Sequence, residues 1–90
     1  MTEADLEADV IELAEGLGGY ALKLKIEAER GWGDRTFFLP EAKFAIAELK
    51  KPGKNDRSIN QRKWIRRLQR LGFAADFCES IDDVKRLLDL

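Results

Sequence analysis

The sequence contains no histidine, and this absence excludes several kinds of catalytic centre. The chain cannot form a Ser-His-Asp or Cys-His centre, and it cannot use histidine as a general base or as a metal ligand. It has one cysteine, Cys78, which excludes an internal disulfide and a zinc site built from several cysteines. Any catalysis must therefore use carboxylates, lysine, a hydroxyl group or a metal ion held by oxygen.

Long apolar segments are absent as well. No uninterrupted apolar run approaches the roughly 18–20 residues that cross a membrane, and residues 1–5 are acidic, unlike a basic signal peptide. The 90 residues suffice for one domain and one core, because typical domains have about 100–150 residues. We therefore expect a single intracellular domain over residues 1–90 that does not associate with a membrane.

The net charge of −1 hides a separation of charge along the chain. Residues 1–29 carry eight acids and two lysines, residues 30–75 carry twelve bases and four acids, and residues 76–90 carry five acids and two bases. Most of the bases lie between residues 50 and 70. A basic stretch in a neutral protein indicates a surface that binds a polyanion such as nucleic acid, with a merely solvated helix face as the alternative.

Hydrophobic periodicity, capping residues and glycines predict the element order αβββαβα. Helices begin after the N-cap residues Thr2, Ser58 and Ser80, and Ser58 with Gln61 has the form of a capping box. The first strand has an apolar face in which Tyr20, Leu22, Leu24 and Ile26 alternate with polar or small residues. The remaining strands are predicted at residues 37–39, 43–49 and 73–79. These elements predict an α/β domain in which helices pack on a sheet of about four strands.

An ionic end of one strand is the main chemical signal. Phe44, Ile46, Glu48 and Lys50 share one face of the third strand, because residues two apart in a strand point the same way. Asp34 precedes the neighbouring strand, and an antiparallel hairpin would bring it beside Glu48. Two carboxylates at a strand end can bind Mg²⁺ or Mn²⁺, and the adjacent lysine could orient or deprotonate a metal-bound water.

Each of these residues also has a simpler interpretation. Glu48 and Lys50 could form a salt bridge at the sheet end, and Asp34 could be a turn residue after a glycine. Gln61 is explained as the second half of a capping box. Glu7 shares a helix face with Val10, Ile11 and Ala14 and so leans towards the core, where it needs a cation or a hydrogen bond, and Lys23 is a candidate partner; an exposed helix glutamate is the alternative.

The ordered combination of these motifs resembles a known family. The segment Gly31-Trp32-Gly33-Asp34, then Glu48-Leu49-Lys50, then Gln61 at the start of the next helix, together with Glu7 on the first helix, is similar to the virus-type replication-repair nuclease (VRR-NUC) domain of the PD-(D/E)xK superfamily. The likeness is to the small stand-alone form typical of phages and covers nearly the whole chain. One departure is that members usually have proline where this chain has Gly33.

The resemblance implies a restriction-endonuclease-like αβββαβα core with a mixed four-stranded sheet. It implies that Asp34, Glu48 and the backbone carbonyl of Leu49 bind Mg²⁺ or Mn²⁺, with Glu7 as a further catalytic and metal-binding residue. Lys50 would assist the attacking water, and Gln61 would support the metal ligands. The corresponding location is the cytoplasm of a bacterium or of a phage-infected host.

These observations predict a metal-dependent endonuclease that acts on branched or junction DNA, such as a Holliday junction, in DNA repair. We expect a homodimer, because a domain this small has a thin core and offers one cleft. The alternative is a non-enzymatic nucleic-acid-binding accessory module that uses the basic helix over residues 58–71. An interaction domain that presents the acidic first helix is a third possibility. The residues expected to contact DNA phosphates without reading bases are Lys51, Lys54, Arg62, Lys63, Arg66 and Arg67.

Overall fold

The computed structural model describes residues 2–25, 32–51 and 58–90, and these ranges have the element order that the sequence predicts. The elements are α1 (Glu3–Gly16), β1 (Tyr20–Leu22), β2 (Arg35–Leu39), β3 (Lys43–Leu49), α2 (Ile59–Arg70), β4 (Ala74–Cys78) and α3 (Ile81–Leu87).

The helix starts are fixed by side-chain caps. Thr2 and Asp5 form a capping box at α1, and Ser58 and Gln61 form one at α2. In each box the cap side chain accepts a backbone N–H and the third helical residue accepts the backbone N–H of the cap, which satisfies two donors that would otherwise lack partners. Ser80 caps α3 by accepting from the Asp83 N–H at 3.1 Å. All three N-caps predicted from the sequence are confirmed.

The four strands form one mixed sheet in the order β1-β2-β3-β4. The pairs β1/β2 and β2/β3 are antiparallel, and β3/β4 is parallel. Parallel neighbours need a crossover connection, and α2 provides it between β3 and β4. The mixed four-stranded sheet flanked by helices, which the resemblance implied, is therefore confirmed.

Helices cover the two faces of the sheet unequally. On one face, α1 and α3 bury the larger core, which contains Leu6, Val10, Phe37 and Val84. On the other face, α2 buries a smaller core in which Ile46 of β3 meets helix residues such as Ile65 and Leu68. Because α2 packs over β4, the β1 and β2 side of this face is left partly open.

The prediction for the first strand is wrong in length and in burial. β1 has three residues instead of the seven predicted, and Tyr20 and Leu22 are 61 % and 43 % exposed, whereas Ala21 between them is buried. Ala21 faces α1, while Tyr20 and Leu22 lie on the open face. Leu24 is also exposed, and Ile26 lies outside the described residues. No helix in the described part of the chain is long and apolar enough to cross a membrane.

Gly19 places β1 against β2 and gives a test of this packing. A Cβ at residue 19 would lie 2.2 Å from the Phe38 carbonyl oxygen and 2.9 Å from the Leu39 Cα, so Gly19→Ala should cost roughly 1–3 kcal/mol through overpacking. Thermal unfolding should show Gly19→Ala below wild type by several degrees. Gly16→Ala is the control, because no atom lies within 4 Å of the added Cβ and alanine favours a helix. Equal melting temperatures for the two variants would contradict the packing.

Candidate metal centre

The candidate centre begins where the ladder between β2 and β3 ends. The last paired residues are Arg35 and Ala47, and the next two positions, Asp34 and Glu48, bind each other's strand through their side chains. The Asp34 N–H donates to Glu48 Oε2 at 3.0 Å. In return, the Leu49 N–H donates to Asp34 Oδ2 at 3.0 Å. The predicted hairpin therefore brings the two carboxylates together.

Glu48 is the buried member of the pair, with 3 % of the residue exposed. β3 directs it to the same side as Ile46, beneath α2, as the strand alternation predicts. Its Oε1 accepts from Gln61 Nε2 at 2.6 Å, and the Lys50 Nζ lies 3.7 Å from the same oxygen. Lys50 is itself 7 % exposed. Both oxygens of the Glu48 carboxylate are thus fixed in direction.

Gln61 has both of the roles considered for it. Its Oε1 accepts the Ser58 N–H at 3.0 Å, which completes the capping box, and its Nε2 donates to Glu48. Because the cap fixes which end of the amide is the donor, the N–H₂ group must face the carboxylate. The start of α2 is therefore attached directly to the candidate centre.

The environment raises the pKa of both carboxyl groups, so each ionises less readily than a carboxyl group in water. Burial raises the pKa of Glu48 from its usual 4.5 to about 7, with a further contribution from the negative charge of Asp34. Burial also raises the pKa of Asp34, although the Leu49 N–H partly offsets this effect. A direct hydrogen bond between the two carboxyl groups lowers the pKa of Asp34 and raises that of Glu48. Near neutral pH, the pair therefore holds a proton more tightly than an isolated carboxyl group does.

This donor set suits a hard divalent cation. Mg²⁺ and Mn²⁺ prefer oxygen ligands, and Mg²⁺ usually uses one or two carboxylates with water and substrate phosphate completing its coordination. A cation would also relieve the repulsion that raises both pKa values. Within residues 2–25, 32–51 and 58–90, no group of three or more acidic or cysteine side chains is placed to hold a metal. Among these residues the centre therefore offers two carboxylates, and the Leu49 carbonyl as a further ligand stays a prediction.

Comparison with known proteins identifies the fold that carries this arrangement. A solved structure named "VRR_NUC domain" matches 97 % of this chain and 94 % of its own chain, with a TM-score of 0.84 and 25 % sequence identity. No family model and no curated protein matches the sequence. The chain has the fold of a VRR-NUC domain, and the resemblance predicted from its motifs is confirmed at this level. Its fold is that of a family of nuclease domains, as the order of motifs predicted.

Glu7 has a different partner from the candidate that the sequence suggested. Its carboxylate lies 3.4 Å from Arg35 Nη2, rather than on Lys23, which is exposed. Glu7 is partly buried, and its charge raises the pKa of Asp34 slightly, so it lies near the centre on the α1 side of the sheet. Its role as a metal ligand stays a prediction.

Arg35 was missed in the sequence. It forms the ion pair with Glu7 and also donates through Nη1 to the Ala21 carbonyl at 3.2 Å. The signal was present, because Arg35 occupies a position of β2 whose alternation with Phe37 and Leu39 directs it into the core beneath α1. An arginine in such a position needs an acidic partner, and Glu7 was the suitable acid on the facing helix.

The predicted DNA-contacting residues of the VRR-NUC-type domain lie at the surface. Lys51 follows β3 and is exposed, and the other four that can be placed are exposed on α2. Lys54 lies outside the described residues. The bases on α2 form a shallow groove. It is lined by Ile59 and by the basic residues Arg62, Lys63, Arg66, Arg67 and Arg70.

The raised pKa values give a test of the centre through stability. Both carboxyl groups bind a proton more tightly in the folded than in the unfolded protein, so the contribution of this pair to the stability of the metal-free protein is most favourable in acid and is lost as the pH rises towards about 7. Asp34→Asn removes one of the two charges and can keep the bond from the Leu49 N–H. At pH 8, metal-free Asp34→Asn should melt roughly 4–8 °C above wild type, the shift for about 1 kcal/mol.

The matched control is Asp9→Asn, which removes an exposed carboxylate from α1. It should leave the melting temperature nearly unchanged at both pH 5 and pH 8. Addition of Mn²⁺ should stabilise wild type and Asp9→Asn, because a ligand that binds only the folded state stabilises it. A metal-free Asp34→Asn protein that melts below wild type at pH 8 contradicts the electrostatic description.

Proposed function

We propose that this VRR-NUC-type domain hydrolyses phosphodiester bonds in DNA as a divalent-metal-dependent endonuclease. Its proposed substrate is branched or junction DNA, on which two copies act as a homodimer. The observation that carries the proposal is the contact between Asp34 and Glu48, with Lys50 beside Glu48. A buried and a partly buried carboxylate with a buried lysine at the end of a sheet suit metal-dependent hydrolysis better than structural support, because burying charged groups is costly.

Asp34, Glu48 and the Leu49 backbone carbonyl would hold the Mg²⁺ or Mn²⁺. A bound cation supplies positive charge to the phosphate and makes water a stronger nucleophile near neutral pH. Glu48 must lose its proton before it can act as a ligand, and because its pKa without metal is raised to about 7, a proton competes with the cation at acidic pH. We therefore propose that activity rises between pH 6 and pH 8.

Lys50 has the position of a residue that orients water. Its ammonium group lies 3.7 Å from Glu48 Oε1, so it is next to the proposed ligand and at the same end of the sheet. An ammonium group can orient an attacking water by donating a hydrogen bond to the water oxygen. It can also balance negative charge that develops on the phosphate. Gln61 keeps Glu48 in the direction that this geometry requires.

The basic groove on α2 supports binding to DNA. Gln61 lies in the first turn of α2, and the exposed bases that line the groove begin at the next residue. A helix rises about 1.5 Å per residue, so Arg66 and Arg67 lie roughly 8–9 Å farther along the axis. Phosphates bound there would lead a strand towards Glu48 and Lys50. Contacts of this kind respond to the course of the backbone, which supports recognition of DNA shape over base sequence.

The decisive experiment compares cleavage by wild type and Lys50→Ala. The substrates are a labelled four-way junction, a flap and a linear duplex, each incubated with Mn²⁺, Mg²⁺ or chelator at pH 8. Wild type should cut the branched substrates when metal is present, and Lys50→Ala should lose roughly 100-fold or more in rate, the size of effect expected for a group that acts in proton transfer or charge stabilisation.

Lys85→Ala is the matched control for that experiment. Lys85 follows Asp83 by two residues, so it repeats the acid and lysine spacing, but it lies exposed on α3. It should cleave like wild type. Cleavage that persists in chelator, or that is equal in Lys50→Ala and wild type, contradicts the proposed mechanism. Binding of DNA with no cleavage under any condition favours the accessory module instead.

The groove makes a separate prediction about salt. Substitution of both Lys63 and Arg66 by alanine should weaken DNA binding to all sequences alike and reduce the slope of log affinity against log salt by about 2, since each lost phosphate contact removes about 0.9. Fluorescence anisotropy with Ca²⁺, at several salt concentrations, measures this slope. Asp9→Asn serves again as a control, and an unchanged slope in the double variant contradicts phosphate binding by the groove.

A further inference from the structure

The two tryptophans of the chain contact each other, and each lies on a segment that carries part of the candidate metal centre. The ring centroids of Trp32 and Trp64 lie 5.5 Å apart with an angle of 64° between the planes, an edge-to-face arrangement. Trp32 comes two residues before Asp34, and Trp64 comes three residues after Gln61. The pair therefore joins the segment that carries one carboxylate to the helix that fixes the direction of the other.

Trp32 has a second attachment, to the strand that follows it. Its indole N–H donates to Thr36 Oγ1 at 3.1 Å, and Thr36 is fully buried in β2. Trp64 is in turn contacted by Arg67, whose guanidinium lies 5.3 Å from the ring. The Trp32 ring is thus fixed to β2 through its polar atom and to α2 through its edge-to-face contact.

Gly33 explains why such an attachment is needed. A Cβ at residue 33 would lie 2.3 Å from Ile46 Cγ2 and 3.2 Å from the Ala47 carbonyl oxygen, so the chain here lies directly on β3. This close approach requires glycine. Glycine also has the largest range of allowed backbone angles of any residue. Gly33 cannot by itself hold Asp34 in place, whereas a proline would fix one backbone angle. The restraint must come from the neighbouring side chains.

We propose that Trp32 is a positioning residue that holds Asp34 against Glu48 through its contact with Trp64. The proposal rests on the proposed function, because it takes Asp34 and Glu48 to be metal ligands. Neither ring is a ligand. The contact reduces the freedom of the segment before β2, so that the Asp34 N–H and the Leu49 N–H keep their carboxylate partners and the centre is preorganised for a cation.

The first measurement needs no metal. Hydrogen exchange of the Asp34 and Leu49 amides, followed by nuclear magnetic resonance, reports directly whether the two bonds between the strands are kept. In the Trp32→Ala variant, these amides should exchange about tenfold faster than in wild type. In Trp32→Phe their exchange rates should lie between those of wild type and Trp32→Ala, because phenylalanine keeps a ring but loses the bond to Thr36. The double variant Trp32→Ala with Trp64→Ala should show the same exchange rates as Trp32→Ala alone, because the two substitutions remove the same contact between the rings.

The second measurement is Mn²⁺ affinity by calorimetry, for the same variants at pH 8. Trp32→Ala should weaken binding about tenfold, which corresponds to about 1.4 kcal/mol. Thr36→Val removes the acceptor for the indole N–H and keeps the shape of the strand, so it should weaken binding by a smaller factor, roughly two- to threefold. Because Thr36→Val preserves side-chain volume, it tests the proposal even if Trp32→Ala does not fold.

Phe38→Ala is the matched control. Phe38 forms a similar edge-to-face pair with Phe44, with centroids 5.6 Å apart and an angle of 68°, but it lies at the far end of the ladder from Asp34. It should lower the melting temperature without changing exchange at Asp34 or Leu49 and without changing Mn²⁺ affinity. A Phe38→Ala protein that behaves like Trp32→Ala overturns the proposal, because the effect would then be one of general stability.

Two outcomes separate the failure of this proposal from that of the proposed function. If wild type binds Mn²⁺ and both Trp32→Ala and Thr36→Val bind it equally well, with exchange at Asp34 unchanged, the positioning role is wrong and the metal centre stands. If exchange at Asp34 accelerates in Trp32→Ala but wild type binds no Mn²⁺, the positioning role is supported and the metal-dependent function is wrong.

Discussion

Two hydrogen bonds between neighbouring strands determine where every other group of the candidate centre lies. Each joins a carboxylate of one strand to a main-chain N–H of the other, Glu48 to residue 34 and Asp34 to residue 49. They extend the contact between β2 and β3 by one position beyond the last backbone pair, so they hold the two carboxylates side by side at the end of the ladder. Gln61 and Lys50 then approach Glu48 from α2 and from the end of β3.

This arrangement has an electrostatic cost that the rest of the fold must offset. Burial raises the pKa of both carboxyl groups, and their mutual repulsion adds to the effect. Such a pair weakens a small domain unless a proton or a cation neutralises it. Sites that keep unfavourable charges together are frequently functional, since a purely structural role can be filled by apolar residues at lower cost. The larger core beneath α1 and α3 provides most of the compensating burial.

The sequence was sufficient for the parts of the fold that depend on local chemistry. Capping residues such as Ser58 fixed the helix starts, and strand alternation placed Glu48 and Lys50 on one face. It was insufficient where the outcome depends on which face a helix covers: Tyr20 and Leu22 alternate like buried residues, yet α2 leaves them exposed. The pairings of Glu7 with Arg35 and of Trp32 with Trp64 join positions far apart in the chain. Strand alternation indicates that Arg35 needs an acidic partner, but no comparable pattern indicates the contact between the two tryptophans.

The three-residue length of β1 implies an order in which the sheet opens. β1 is an edge strand, pairs through three residues and has a half-exposed outer face, so it contributes little to cooperative stability and should fray before any other strand. β2 remains paired with β3 through five residues when this happens. Transient opening of β1 therefore leaves the pairing of β2 with β3, and with it the position of the two carboxylates, unchanged.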